Sequence, residues 1–343
     1  MIREWANGRR GLSEMYAELF TAVFGVPFTA SSPVGSDQLG DDDAPATQNG
    51  AAELADRLKA SVVVDGQLIE LFESQTQSLR LLDRQLGAAR LLAQTEAHIV
   101  QMTELLRYSL PGGHRSALGA AIAEAAALAG WQALDLGDPA GAWRHHETAK
   151  AAAYESGNVV ILAHVTAQQA YALLDAEQHE HALPLVTQAL TAARGKVPNL
   201  LWSWLSAVQA EAAAARGEEQ QTRQAIDRAA DVLPSDPVDP ELPFVVLDEV
   251  HLMRWRGHCL ARLGSAEAVH DLRSALADLD PSFTRAAAAL HCDLALTHSV
   301  RGDHQEARAE AQTAEQLAAR TGSARQHRRI TTLIASGNTH RCP

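Results

Sequence analysis

Leu128–Ala149 reads LAGWQALDLGDPAGAWRHHETA. An apolar helix runs into a tight turn at Leu136-Gly137-Asp138. A second helix starts at Pro139, where the missing N–H costs nothing and φ is already helical. Small residues stand at Gly130, seven before the turn glycine, and at Ala149, twelve after it. Two helices joined by so short a turn fold back on each other. Small residues at their contact let the axes approach toward the low end of about 8–10 Å. The phrase recurs. With Gly137 as anchor, the equivalent positions are Glu177, Gly217, Gly264 and Gly302, at intervals of 40, 40, 47 and 38 residues. Seven before each anchor stand Gly130, Ala170, Ala210, Gly257 and Ala295. Five after it stand Ala142, Ala182, Thr222 and Ala307, and twelve after it Ala149, Ala189, Ala229 and Ala314. The fourth copy joins the last two columns as Ala268 and Ala275 if its turn is one residue shorter. A single hairpin cannot bury its apolar face alone, so a run of five predicts an all-α helical-repeat solenoid over residues 117–320.

These columns resemble the tetratricopeptide repeat, with helices longer than that family's usual period of about 34 residues. A HEAT-like α-solenoid is the alternative packing. The large residue expected four before the anchor is Leu173 or Leu260 in two copies and Ala133 or Ala213 in two others. The resemblance implies that one face of each first helix lines a concave wall. Carried over by distance from the anchor, that face comprises Glu124, Trp131 and Asp135 in the first copy and His164, Tyr171 and Asp175 in the second. Trp204 and Glu211 follow in the third copy, His251, Arg254, His258 and Arg262 in the fourth, and Cys292 and Leu296 in the fifth. Aromatic and polar side chains on an inner wall suit capture of a peptide or small ligand. As placed, the wall divides by charge. Its acids would meet a ligand's amine, and Arg254 and Arg262 would hold its carboxylate through paired hydrogen bonds.

The chain of 343 residues is 46% hydrophobic but only 5% aromatic, which fits helices packed through Ala and Leu rather than strands. A net charge of −13 argues against a general polyanion binder, though not against a local basic module. Three cysteines, Cys259, Cys292 and Cys342, form no CxxC pair, which points to a reducing cytoplasm. No run of 18 apolar residues and no secretory signal is present, so no membrane span is expected.

Outside the repeats, residues 30–50 are rich in Gly, Ser, Pro and Asp and read as a flexible linker. Residues 51–110 carry two apolar stripes separated at Gly87 and read as an N-terminal helical hairpin capping the array or offering a dimer surface. Leu233–Pro243 holds four prolines, excludes a helix, and accounts for the long third interval. Residues 321–343 read as a capping helix, Ala324 to Ile334, followed by a disordered tail.

Residues 2–26, IREWANGRRGLSEMYAELFTAVFGV, resemble the end of a Cro-repressor-like (XRE-type) helix-turn-helix domain. In that family the recognition helix ends in Trp, a polar residue, Gly and basic residues, and a further helix closes on a phrase like Phe24-Gly25-Val26. With LRLLDRQLGAARLLAQ (79–94) and the phrase at 128–149, the chain resembles regulators of filamentous actinobacteria that join such a domain to a long helical-repeat region. The resemblance implies a transcriptional regulator, a homodimer, in which residues 1–29 are a remnant of the DNA-binding domain. The helices that precede this point in the family, and with them the base-reading side chains, are absent from the sequence. Either the chain starts further upstream or it is a remnant without its reader. Arg3, Arg9 and Arg10 remain to touch phosphates, which position a protein but do not specify sequence.

No phosphate loop, nucleophile elbow or zinc helix is present: Gly195-Lys196 is followed by Val197, and His179 and His181 are two apart rather than four. No catalytic residue, cofactor or metal site is assigned. His258, Cys259, His291 and Cys292 lie on the first helices of successive copies, where they could approach one another. The reading is a cytoplasmic ligand- or peptide-sensing module of a regulator, not an enzyme, with DNA as a partner only through a fuller N-terminal domain. The alternative is a stand-alone adaptor for a protein partner. The chain is expected to bind DNA weakly, losing affinity steeply between low and physiological salt because only phosphate contacts remain. Fluorescence anisotropy on duplex DNA across a salt series checks this, and tight, sequence-selective binding at physiological salt would refute it.

Overall fold

The computed structural model describes residues 44–62 and 64–339. Segment 1–29, with Arg3, Arg9 and Arg10, lies outside the described residues. Among these, all regular structure is helical. Helix α1 (Ala44–Val62) begins inside the stretch read as a linker to residue 50. The correction has a local reason: Pro45 falls in the first turn, where a helix tolerates it, and the Ala- and Leu-containing run from Ala51 carries the helix. Everything below lies in the compact unit that begins at Arg57.

Helix α2 (Gly66–Leu86) is capped by Asp65, whose carboxylate accepts from the Leu68 N–H at 2.9 Å. It ends at Gly87, with φ 80°. A Cβ at Gly87 would sit 1.8 Å from the Thr321 carbonyl oxygen, so a glycine is needed both for the turn and for that approach. Helix α3 (Leu92–Tyr108) follows a short 3-10 turn.

Five hairpins come next. They pair α4 (Gly113–Asp135) with α5 (Pro139–Ser156), and α6 (Val159–Gln168) and its continuation α7 (Ala170–Asp175) with α8 (His179–Ala193). The others pair α9 (Asn199–Ala215) with α10 (Glu219–Val232), α11 (Glu249–Arg262) with α12 (Ala268–Asp278), and α13 (Thr284–Arg301) with α14 (His304–Thr321). All five anchors adopt left-handed φ, from 58° at Glu177 to 81° at Gly302. At each, the next residue's N–H bonds back to the carbonyl five residues before it, as Asp138 to Ala133 and Asp303 to His298, at 2.8–3.0 Å. The anchor's own N–H bonds the carbonyl three before it. This bond pair satisfies the orphan carbonyls of a helix end and turns the chain into the second helix in each copy.

The small-residue columns sit at the contacts. Ala149, Ala189, Ala229 and Ala314 are buried, as are Ala170, Ala210 and Ala295. At Gly130 a Cβ would lie 2.5 Å from the His146 ring, and at Gly257 2.8 Å from Leu272, so each glycine lets the partner helix lie against backbone. Ala307 is only half-buried. Helix α4 is long and apolar enough to cross a membrane, but 78% of its most apolar window is buried inside the protein, as in a core helix.

The first helices form an inner row: α2, α4, α6, α9, α11 and α13, each against the next. The row then returns to its start. Helix α15 (Ala324–Thr339) packs on α13 and α14 and touches α4, while α13 and α14 reach α2. Residues 51–110 therefore do not cap an open end: α2 and α3 each pack on α4, and α2 also meets the last hairpin. Helix α15 also runs through Thr339, into the tail read as disordered. Replacing Ala189 by Leu is expected to overpack the α8 contact and cost about 1–3 kcal/mol. Urea denaturation measures it, and an unchanged midpoint would mean that this column does not set the spacing.

Candidate functional site

The inner row lines an open-mouthed cavity of about 740 Å³, a size typical of small-molecule sites. Glu124, Trp131, Asp135, His164, Tyr171, Asp175, Trp204, Glu211, His251, Arg254, His258 and Arg262 all line it, as does Leu296. They share one side because each first helix enters from the same turn geometry and presents the same face.

What the acids do differs from expectation. Glu124 meets Arg80 of α2 at 3.3 Å. Asp135 takes Arg285 of α13 at 2.9 Å and the Ser323 hydroxyl at 2.6 Å. Arg285 also bonds Asp83 of α2. Asp175 meets Arg325 of α15 at 2.8 Å. Glu211 accepts from the Tyr171 hydroxyl at 3.2 Å and from Trp255 Nε1 at 2.9 Å, and its other oxygen lies 3.3 Å from His258. These four carboxylates are therefore not free for a ligand's amine. The physical reason is desolvation: a carboxylate in so dry a wall needs a counter-charge or several donors. Arg80 of α2, Arg285 of α13 and Arg325 of α15, none of them among the wall residues read from the repeats, supply most of these partners.

Electrostatics follow the pairing. Burial alone would raise Asp293, but His258 and Arg329 pull it down to about 2. Burial would likewise raise Glu211, and His258, Arg325 and Arg262 hold it well below the usual carboxylate range. Burial would lower His258, yet Asp293 at 2.9 Å and Glu211 raise its pKa above the ordinary imidazole value. Arg285 and Arg325 are raised by their acids despite burial.

Among the described residues, two half-buried cations of the wall form no ion pair. Arg254 projects from α11 over the Trp255 ring at 5.2 Å, with its Nε sealed off and unbonded. Arg84 lies 5.1 Å over Phe283. Burial lowers the pKa of both, as it does that of Arg80, whereas Arg285, Arg325 and Arg329 are raised by their acids. Arg262 is exposed at the rim. The aromatic part of the wall is continuous: the His164 ring lies 4.7 Å from Trp204 and 4.5 Å from Phe244, and Trp204 meets Trp255 edge-on at 6.5 Å. Burial, then Arg80 and His146, lowers the His164 pKa to about 3, so its imidazole is neutral. Trp131 meets Tyr171 edge-on at 5.8 Å.

The repeat register missed Arg80, Arg84, Phe244, Arg285, Arg325 and Arg329. The signals were faint: Phe244 follows the proline-rich insertion, and Arg325 and Arg329 stand four apart on one face of the last helix. Leu242 of the insertion and Val245 and Leu247 just after it enter the core, while Phe244 and Val246 face the cavity.

The two Cys-His pairs do not converge. His258 bonds Asp293, His291 bonds Glu310 at 2.6 Å, and Cys259 and Cys292 sit in separate apolar clusters. Burial raises both thiols, Cys292 to about 11, which keeps them protonated.

No known protein-family model matches this chain, and no curated protein is similar to it.

Arg285→Met is expected to destabilise the protein by about 3–5 kcal/mol, because it strands Asp83 and Asp135 in the interior. Guanidinium denaturation measures this, and a loss below about 1 kcal/mol would show that the bridge behaves as a surface pair.

Proposed function

We propose that residues 57–339 are the ligand-sensing module of a cytoplasmic transcriptional regulator, a tetratricopeptide-like solenoid whose inner row closes around a small ligand. The five identical turns and the small-residue columns favour tetratricopeptide-like over HEAT-like packing. The resemblance of residues 2–26 to a helix-turn-helix domain favours a regulator, with a homodimer reading paired half-sites. The observation that carries the reading is Arg254, a cation that lines a ligand-sized cavity, makes no ion pair among the described residues and keeps its Nε buried and unbonded. A buried polar group without a partner is rare in a protein at rest and is found where a ligand completes the set. Closure of the wall favours a small molecule or a short peptide over an extended peptide or a folded partner, and so weighs against the adaptor.

A thermal-shift experiment separates the two. The ultrafiltered small-molecule fraction of a cell extract is expected to raise the melting temperature, since a ligand that binds only the folded state stabilises by mass action. A shift given only by the macromolecular retentate would favour the adaptor and overturn the sensor.

A further inference from the structure

We propose that the cavity takes a small carboxylate with a planar aromatic body, its carboxylate held by Arg254 and Arg84 and its ring lying among Trp204, Trp255 and Phe244. The inference rests on the reading of the cavity as a ligand site and names the chemistry of the ligand.

The first argument is charge. Four of the cavity's arginines meet a carboxylate of the wall, Arg328 bonds the Gly137 carbonyl, and Arg262 is exposed. Arg84 and Arg254 are left. Both are half-buried, both lie over a ring, and neither forms an ion pair among the described residues; Asp83 acts on Arg84, and Glu211 and Asp293 on Arg254, only at longer range. They border one place: Phe283, the ring beneath Arg84, packs edge-on to His251 at 5.1 Å, and His251 stands one turn before Arg254 on α11. At both cations burial outweighs these distant acids, so an arriving anion recovers an energy that a neutral ligand cannot. The planar guanidinium fork matches a carboxylate with two parallel bonds.

The second argument is shape. From Arg254 the wall continues as Trp255, Trp204, His164 and Phe244, ring against ring. His164 is neutral and buried and makes no hydrogen bond among the described residues, so this part of the wall offers faces and edges for stacking and no formal charge. Phe244 arrives from the proline-rich insertion, which distinguishes the third interval from the others. An aliphatic acid would leave these ring faces unmatched.

Isothermal titration of the full chain with 2-naphthoate, 2-naphthamide and 2-naphthyl phosphate tests the assignment. The naphthoate is expected to bind at least about tenfold more tightly than the amide, the size of one charge-assisted contact. Arg254→Gln and Arg84→Gln should each remove that preference while leaving the amide's affinity unchanged. Trp204→Leu should weaken acid and amide together. Melting curves establish that each variant is folded, and the two arginine variants stand in for each other if one is not. Equal affinity of acid and amide for the wild type, or a preference that survives both arginine substitutions, overturns the carboxylate assignment and leaves the cavity a ligand site. Tighter binding of the phosphate than of the naphthoate also overturns it. No binding by any of the three overturns the assignment, while the extract experiment separately decides whether the cavity is a sensor.

Discussion

Arg285 holds the structure closed. Its guanidinium bridges Asp83 on α2 and Asp135 on α4, and all three side chains are nearly sealed from solvent. Such a pair gains little net stability over an apolar contact, because desolvation costs about as much as the charges return. What it does is fix position: two carboxylates buried opposite one guanidinium tolerate no slip of α13 along α2 and α4. Once that register is set, Ser323 reaches Asp135, and Arg325 and Arg329 on α15 reach Asp175 and Asp293. Without the closure the inner wall would be an open face, and its acids would stand in water.

The cavity depends equally on how little room the hairpins take. Alanine and glycine bring each pair of helices close, so few large side chains are needed between them. The bulky residues of the first helices are displaced inward, and the wall becomes aromatic. Charge follows by the same logic. Where α2, α13 and α15 deliver an arginine beside a carboxylate, the cation is stabilised. Arg84 and Arg254 form no ion pair among the described residues, and burial outweighs the more distant acids at both, within a chain that is acidic as a whole.

The proline-rich insertion shows how a non-helical segment can still build a wall. Its prolines prevent helix formation, and Asp236 and Asp239 turn the chain by accepting from the N–H groups of Val238 and Glu241. The segment then turns inward and buries Leu242, Val245 and Leu247, which leaves Phe244 against His164. Its length difference from the other connections is thus spent on the cavity rather than on a simple bend.

The sequence by itself determined the local events: the five turns, the columns that meet at helix contacts, and the face of each first helix that looks inward. These rest on short-range rules, the 3.6-residue period and the left-handed residue that ends a helix, and both can be read within about 20 positions. It also carried the residues of the closure, but not their pairing. Arg285 is 150 residues from Asp135 and 202 from Asp83, and Arg325 is 150 from Asp175. No periodicity links positions so far apart. Only the accumulated rotation of five hairpins brings α13 and α15 back to α2 and α4. That is why the acids of the wall read as free when they are paired, and why Arg254 stood out from the other arginines only once the ring was closed.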